Sequence, residues 1–175
     1  VGCVIVKNGT IIGEGYHKEY GKEHAEVNAI NNVKNKSRLK ESTLFVNLEP
    51  CCHYGKTPPC VDLIIEHKIP KVIIGCIDSF RKVNGSGIKK LKKEGVNVIT
   101  HLLNQESRIL NKRFFTFHEK NRPYIILKWA QSKDHFIAPK YQKGPFWMTN
   151  NEAKKLSHQW RAEEDAIMIG RITAE

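Results

Sequence analysis

His24-Ala25-Glu26 and, further along, Glu49-Pro50-Cys51-Cys52-His53-Tyr54-Gly55-Lys56-Thr57-Pro58-Pro59-Cys60 bound the stretch around which this chain is organised. Between them they gather two imidazoles, three thiols and two carboxylates, one of them two residues from His24. A catalytic zinc ion takes three protein ligands and leaves one position for water. His24, Cys51 and Cys60 supply a His-Cys-Cys set. Glu26 is poorly placed to bind the same ion, because side chains two apart in a first helical turn diverge. It is better placed to move protons at a water there.

The segments around this stretch predict a frame for it. Residues 1–7 and 11–16 read as strands joined by an Asn8-Gly9 hairpin turn. Residues 24–35 read as a helix, with Val27, Ile30 and Val33 at helical spacing. Strands follow over 43–49, 71–77 and 96–100. A helix over 60–67 opens behind Pro59, and a basic helix over 86–94 ends at Gly95. A longer helix is predicted over 104–120, with Ile109, Leu110, Phe114 and Phe117 on one side. An opening hairpin followed by alternating helix and strand implies an α/β fold, a mixed sheet with helices on both faces. Both parts of the motif then fall where helices begin at strand ends, with two helix N-termini favouring thiolate.

Asn121-Arg122-Pro123 breaks the pattern. The expected domains are 1–120 and 121–175. The second is read as a strand over 124–130, a helix over 150–162 with Asn150 or Asn151 at its cap, and a strand over 165–170.

Composition narrows the class. The apolar fraction of 40% supports a core, and no apolar run reaches the length of a membrane span. The chain opens directly in a strand-like run, without a signal peptide, which suggests residues upstream. Cytoplasmic location is the default reading. Five cysteines, an odd number, argue against a disulfide framework. Cys3 and Cys76 lie in apolar runs and are expected to be buried. The net charge of +11 raises a nucleic-acid reading, but the lysines are spread along the chain with few aromatics among them. A solvated surface, or attraction of anionic small molecules, accounts for the charge without nucleic acid.

A His/Cys/Cys zinc with a non-ligand Glu marks zinc deaminases, whose signature is P-C-x-x-C. Here eight residues, Cys52 to Pro59, separate the two cysteines. Such an insertion beside a metal suits a substrate-contacting loop, with Lys56 meeting a phosphate and His53 a ring carbonyl or amine. Two other readings stand beside this one. A structural zinc site would be closed by Cys52 or His53. A nucleic-acid base deaminase would account for the charge.

The runs Val1-Gly2-Cys3-Val4-Ile5-Val6, His24-Ala25-Glu26-Val27-Asn28-Ala29 and Glu49-Pro50-Cys51-x-His53-x-Gly55-x-Thr57-Pro58-Pro59-Cys60 resemble the deaminase domain of the bifunctional deaminase-reductase family of riboflavin biosynthesis. The resemblance covers nearly the whole chain. It implies a three-layer, cytidine-deaminase-like α/β/α domain over 1–120, without that family's N-terminal helix. It implies zinc on His24, Cys51 and Cys60, with Glu26 as proton shuttle. It also implies a phosphoribosylaminopyrimidine substrate, contacted by His53, Lys56 and Thr57, that loses a ring amino group as ammonia. Residues 121–175 resemble the opening of the family's dihydrofolate-reductase-like, NADPH-dependent reductase domain. There Ala130, Trp147 and Thr173 match cofactor contacts and Arg161 a substrate contact. Two departures are His135, where the family often has Gly, and Pro145, where it has a substrate-contacting Ser. Residues 121–175 are too few for that domain, so this stretch is not expected to carry out the reduction. The implied partners are a phosphorylated pyrimidine and, compatibly, further copies of the chain. No nucleic acid or membrane is implied.

Overall fold

A computed structural model describes all residues from 1 to 175 except 81, 82, 142, 143 and 145. Pro145, one of the two departures above, therefore lies outside the described residues. The chain divides into two compact units, Val1–Tyr124 and Ile125–Glu175.

The first unit is built on a five-stranded sheet in the order β2-β1-β3-β4-β5. β1 (Gly2–Lys7) and β2 (Thr10–Tyr16) form the expected hairpin, with Lys7 opposite Thr10. Asn8 and Gly9 sit at φ 50° and 74°, the left-handed pair that a two-residue turn of this hand requires. β1 also runs antiparallel to β3 (Thr43–Leu48), whereas β3, β4 (Lys71–Cys76) and β5 (Asn97–Thr100) are mutually parallel. The sheet is mixed, as its sequence implies.

Alternation along the strands builds the core. Cys3, Ile5, Leu44, Val46, Val72 and Ile74 point to one face and are buried. They pack against Ala29 and Ile30 of α1 (Ala25–Asn32), Val61 and Ile64 of α2 (Cys60–Glu66), and Leu91 of α3 (Ser86–Lys93). Gly13 and Gly15 let α1 approach closely: a Cβ on Gly15 would lie 2.4 Å from Ala29 N and 2.7 Å from Ala25 O. On the opposite face Ser107 of α4 (Asn104–Leu110) lies against Gly75, where a Cβ would meet Ser107 Oγ at 2.2 Å. Cys3 and Cys76 are buried as expected, and no disulfide joins the five cysteines.

Two expectations for this unit need correction. The helix over 104–120 is two helices, α4 and α5 (Lys112–Lys120), broken at Asn111. The buried Asn111 side chain donates to Ser107 O at 2.9 Å, a local bond that competes with regular helix. The buried positions of this segment are Ser107, Asn111 and Phe115, while Ile109, Leu110 and Phe117 are exposed. Close approach at Gly75 admits only a small residue, so the apolar stripe faces outward. A 3-10 turn over Lys36–Glu41, started by the Asn35 side chain accepting from Ser37 N, was not foreseen.

In the second unit the segments 124–130 and 165–170 are not strands. Neither has a partner strand among the described residues, and an extended segment without one leaves its backbone groups unpaired. α6 (Asn151–Glu163) forms as expected, with Asn150 Oδ1 accepting from Ala153 N at 3.0 Å. A short α7 (Arg171–Ala174) follows. No described residue of this unit is buried. His135 takes φ 68°, a left-handed conformation that explains why glycine suits this position. No helix among the described residues is long and apolar enough to cross a membrane.

Candidate metal and catalytic site

Three separate elements converge at one place. His24 is the N-cap of α1, in extended conformation, so its ring projects ahead of the helix rather than along it. Cys51 follows β3 and Pro50. Cys60 is the first residue of α2, where Pro59 ends the loop with its fixed φ. His24 Nδ1 lies 3.3 Å from Cys60 Sγ and 3.5 Å from Cys51 Sγ. The ligand atoms of His24, Cys51 and Cys60 all lie within 4.8 Å of one another. Cys52 and His53 are outside this cluster, so a closed four-ligand site through either is not formed.

The electrostatics follow from burial and hydrogen bonding. Cys51 accepts from the Cys60 thiol, from His24 and from the Cys60 backbone N–H at 3.3 Å, and these hold its thiol well below the ordinary range. The Cys60 thiol is pushed up, first by its bond to Cys51 and then by burial and the Glu26 charge. His24 is raised by its bond to Cys51, against burial. Without metal, Cys51 is therefore the thiolate of the pair. Soft sulfur with imidazole, one thiolate already favoured and three donors converging, is a donor set that fits zinc.

Glu26 is in the first turn of α1 and only 3% exposed. Burial raises its pKa, and its carboxyl is hydrogen-bonded to the Cys60 side chain. A carboxyl beside the cluster with a raised pKa has the properties of a group that takes up and returns a proton.

His53 is half-buried, its ring 5.7 Å from that of Phe80, and its Nδ1 is buried without a hydrogen-bond partner among the described residues. Ser79 Oγ is likewise buried and unpartnered. Lys56 is exposed, with Nζ 4.2 Å from the centre of the Tyr20 ring, and Thr57 is half-buried. Sequence reading missed four neighbours. The His17 ring lies 5.4 Å from that of His24, edge on, with Nδ1 bonded to Glu23 O. Asp78 is buried, with its pKa raised by burial. His118 reaches the Phe80 ring from α5, at 5.1 Å. Glu49 was quoted within the motif but given no role. None lies at a spacing that would single it out along the chain.

In the second unit, Arg161 is in the last turn of α6, Thr173 is on α7, and Ala130 lies in irregular backbone. Lys154 Nζ sits over Trp147 at 4.4 Å. No hydrogen bond or ring contact among the described residues links any two of Ala130, Trp147, Arg161 and Thr173.

Comparison with known proteins places this geometry. Residues 1–76 match the family model of the cytidine and deoxycytidylate deaminase zinc-binding region, and residues 123–175 match the RibD C-terminal domain. A diaminohydroxyphosphoribosylamino-pyrimidine deaminase of Buchnera aphidicola subsp. Schizaphis graminum is 51% identical over 115 residues, which are 66% of this chain and 77% of that protein. This chain belongs to the RibD deaminase family. The riboflavin biosynthesis protein RibD of Aquifex aeolicus is 42% identical over 170 residues, 97% of this chain and 47% of that protein. The chain thus spans less than half the length of that RibD relative. Among solved structures, a RibD of Acinetobacter baumannii superposes with a TM-score of 0.84 at 36% identity, over 92% of this chain and 44% of that one. A Thermotoga maritima diaminohydroxyphosphoribosylaminopyrimidine deaminase/5-amino-6-(5-phosphoribosylamino)uracil reductase gives 0.83 at 40%, over 91% and 45%.

Proposed function

We propose that this chain carries the zinc-dependent deaminase of riboflavin biosynthesis, acting on 2,5-diamino-6-(5-phosphoribosylamino)pyrimidin-4(3H)-one. The observation that carries this reading is the convergence of His24 Nδ1, Cys51 Sγ and Cys60 Sγ beside the buried Glu26 carboxyl. His24, Cys51 and Cys60 would hold the ion. Zinc, when bound, supplies a Lewis acid that makes water nucleophilic near neutral pH. Glu26 would take one proton from the attacking water and pass it to the adjacent ring nitrogen, and would then carry the remaining hydroxyl proton to the departing exocyclic nitrogen. The C–NH2 bond breaks, a ring carbonyl forms and ammonia leaves, so amidine and water in balance ring amide and ammonia out. His53 orients the ring, and Lys56 with Thr57 receives the phosphate.

For the whole protein we assign residues 1–120 to this deaminase and residues 121–175 to the front of the NADPH-dependent reductase, with Ala130, Trp147 and Thr173 toward the cofactor and Arg161 toward the substrate phosphate. Because no hydrogen bond or ring contact among the described residues links these four, no reduction step is assigned to them. The partners are the phosphorylated pyrimidine and NADPH, without nucleic acid, in the cytoplasm. Homo-oligomers are compatible with this.

The test is ammonia release from the diaminopyrimidine phosphate, with zinc measured in the same sample. Zinc-stoichiometric protein that releases no ammonia refutes the reading. Tight RNA binding that weakens steeply with salt would favour the nucleic-acid alternative instead.

A further inference from the structure

The peptide that delivers Cys51 is held from outside the metal cluster. Glu49, two residues before Cys51, is 3% exposed. A buried carboxylate is costly unless its oxygens are hydrogen-bonded. Oε1 of Glu49 accepts from the backbone N–H of Gly87 at 3.0 Å and of Ile88 at 3.2 Å. Oε2 accepts from the N–H of Gly85 at 2.9 Å and of Asp78 at 3.3 Å. Gly85 is the N-cap of α3, and Gly87 and Ile88 are in its first turn, so these amides have no acceptor within the helix. One side chain at the end of β3 thus caps a helix far along the chain.

A second observation points to the same contact. A Cβ on Gly87 would lie 2.4 Å from Pro50 O, 3.2 Å from Glu49 Oε1 and 3.3 Å from Val61 Cγ2. The start of α3 is therefore pressed onto the peptide between Glu49 and Cys51, and onto the residue after Cys60. Lys90 of α3 also pairs with Asp62 of α2, the helix that Cys60 opens.

We propose that Glu49 is a positioning residue for the metal-binding sulfurs: its carboxylate, by capping α3, clamps the Pro50-Cys51 peptide and the start of α2 so that the two sulfurs face His24. Glu49 is not one of the His24-Cys51-Cys60 donors. The proposal rests on the zinc reading above but not on the identity of the substrate.

Glu49→Gln keeps the shape and turns an amide N–H2 toward amides that need an acceptor. Gly87→Ala keeps the carboxylate and forces the helix away from Pro50. Both variants are made in the full chain. Zinc affinity is measured by chelator competition, geometry by the sulfur-to-metal and ligand-field bands of the cobalt-substituted protein, and folding by circular dichroism. Loss of an outer partner of a metal site typically costs about 10–100-fold in affinity. We expect a loss of that size in both variants, with shifted cobalt bands, in protein that remains folded. A lower melting temperature with wild-type zinc affinity and unchanged cobalt bands overturns the proposal and leaves Glu49 as a helix cap alone. If Glu49→Gln does not fold, Gly87→Ala decides by the same readouts. Wild-type protein that binds zinc but releases no ammonia removes the deaminase reading and leaves this proposal standing. Wild-type protein that binds no zinc overturns both.

Discussion

Cys60 donates its backbone N–H to the Cys51 sulfur over 3.3 Å, although eight residues separate the two in the chain. The first amide of α2 is thereby directed at the thiolate, and the loop between the cysteines is closed by the same contact. With His24 in reach of both sulfurs, replacing either sulfur should empty the site. Cys51→Ser and Cys60→Ser should each reduce zinc from about one ion per chain to a small fraction, measured by atomic absorption on the purified chain.

Metal binding should be strongly pH-dependent. The Cys60 thiol is pushed up by Cys51, burial and Glu26, so zinc must displace its proton, and the raised His24 pKa acts in the same direction. Acidification should therefore weaken binding, by about tenfold per pH unit for each proton released. Proton release on zinc addition, measured in weakly buffered solution, and a chelator titration at several pH values check this. A pH-independent affinity would contradict it.

Glu26→Gln should retain fold and zinc while turnover falls by about 10²–10⁴-fold, the usual contribution of a general acid–base group. The same variant should alter the stability of the metal-free protein. Burial raises the Glu26 pKa, so the folded state favours the protonated carboxyl. That contribution is fully present below the ordinary carboxylate pKa and is lost as pH rises through the raised value. Glu26→Gln should thus be more heat-stable than the parent near neutral pH, with the difference vanishing toward about pH 4. Melting curves of both metal-free proteins across this range provide the test.

Gly15→Ala should displace α1, because the new Cβ falls 2.4 Å from Ala29 N and 2.7 Å from Ala25 O. Both clashing atoms belong to the helix backbone and cannot rotate away. Overpacking of this kind costs about 1–3 kcal/mol, which urea unfolding would resolve. Since α1 carries Glu26 and follows His24, turnover should fall together with stability.

Lys56→Ala should raise KM for the phosphorylated substrate by about 10–100-fold, the range for losing a hydrogen bond to a charged group, with little change in kcat. A substrate analogue without the phosphate should show no difference between parent and variant. An equal effect on both substrates would place Lys56 away from the phosphate.

Much was legible along the chain. The hairpin at Asn8-Gly9, the alternating burial of β3 and β4, and the helix opening behind Pro59 all depend on neighbours in sequence, and local pattern reports those directly. The chemistry of the candidate site was legible for a similar reason: few residue types offer soft donors and a proton-transfer carboxyl, and here they are grouped within one stretch. The family resemblance rests on the same residues.

The rest was decided in three dimensions. The inward turn of Ser107 in place of Ile109 and Leu110 follows from the absent side chain of Gly75 on a different element. Segments 124–130 and 165–170 have strand-like composition, but a strand exists only where a neighbour pairs its backbone. Glu49 shows the point most clearly. Its sequence neighbours mark it as the residue before a Pro-Cys pair, whereas its function is set by four amides from residues 78 to 88. Residue types and periodicity thus determined which chemistry this chain offers and on what frame, and tertiary structure decided which groups meet, because hydrogen-bond partners and close approaches come from elements that sequence keeps apart.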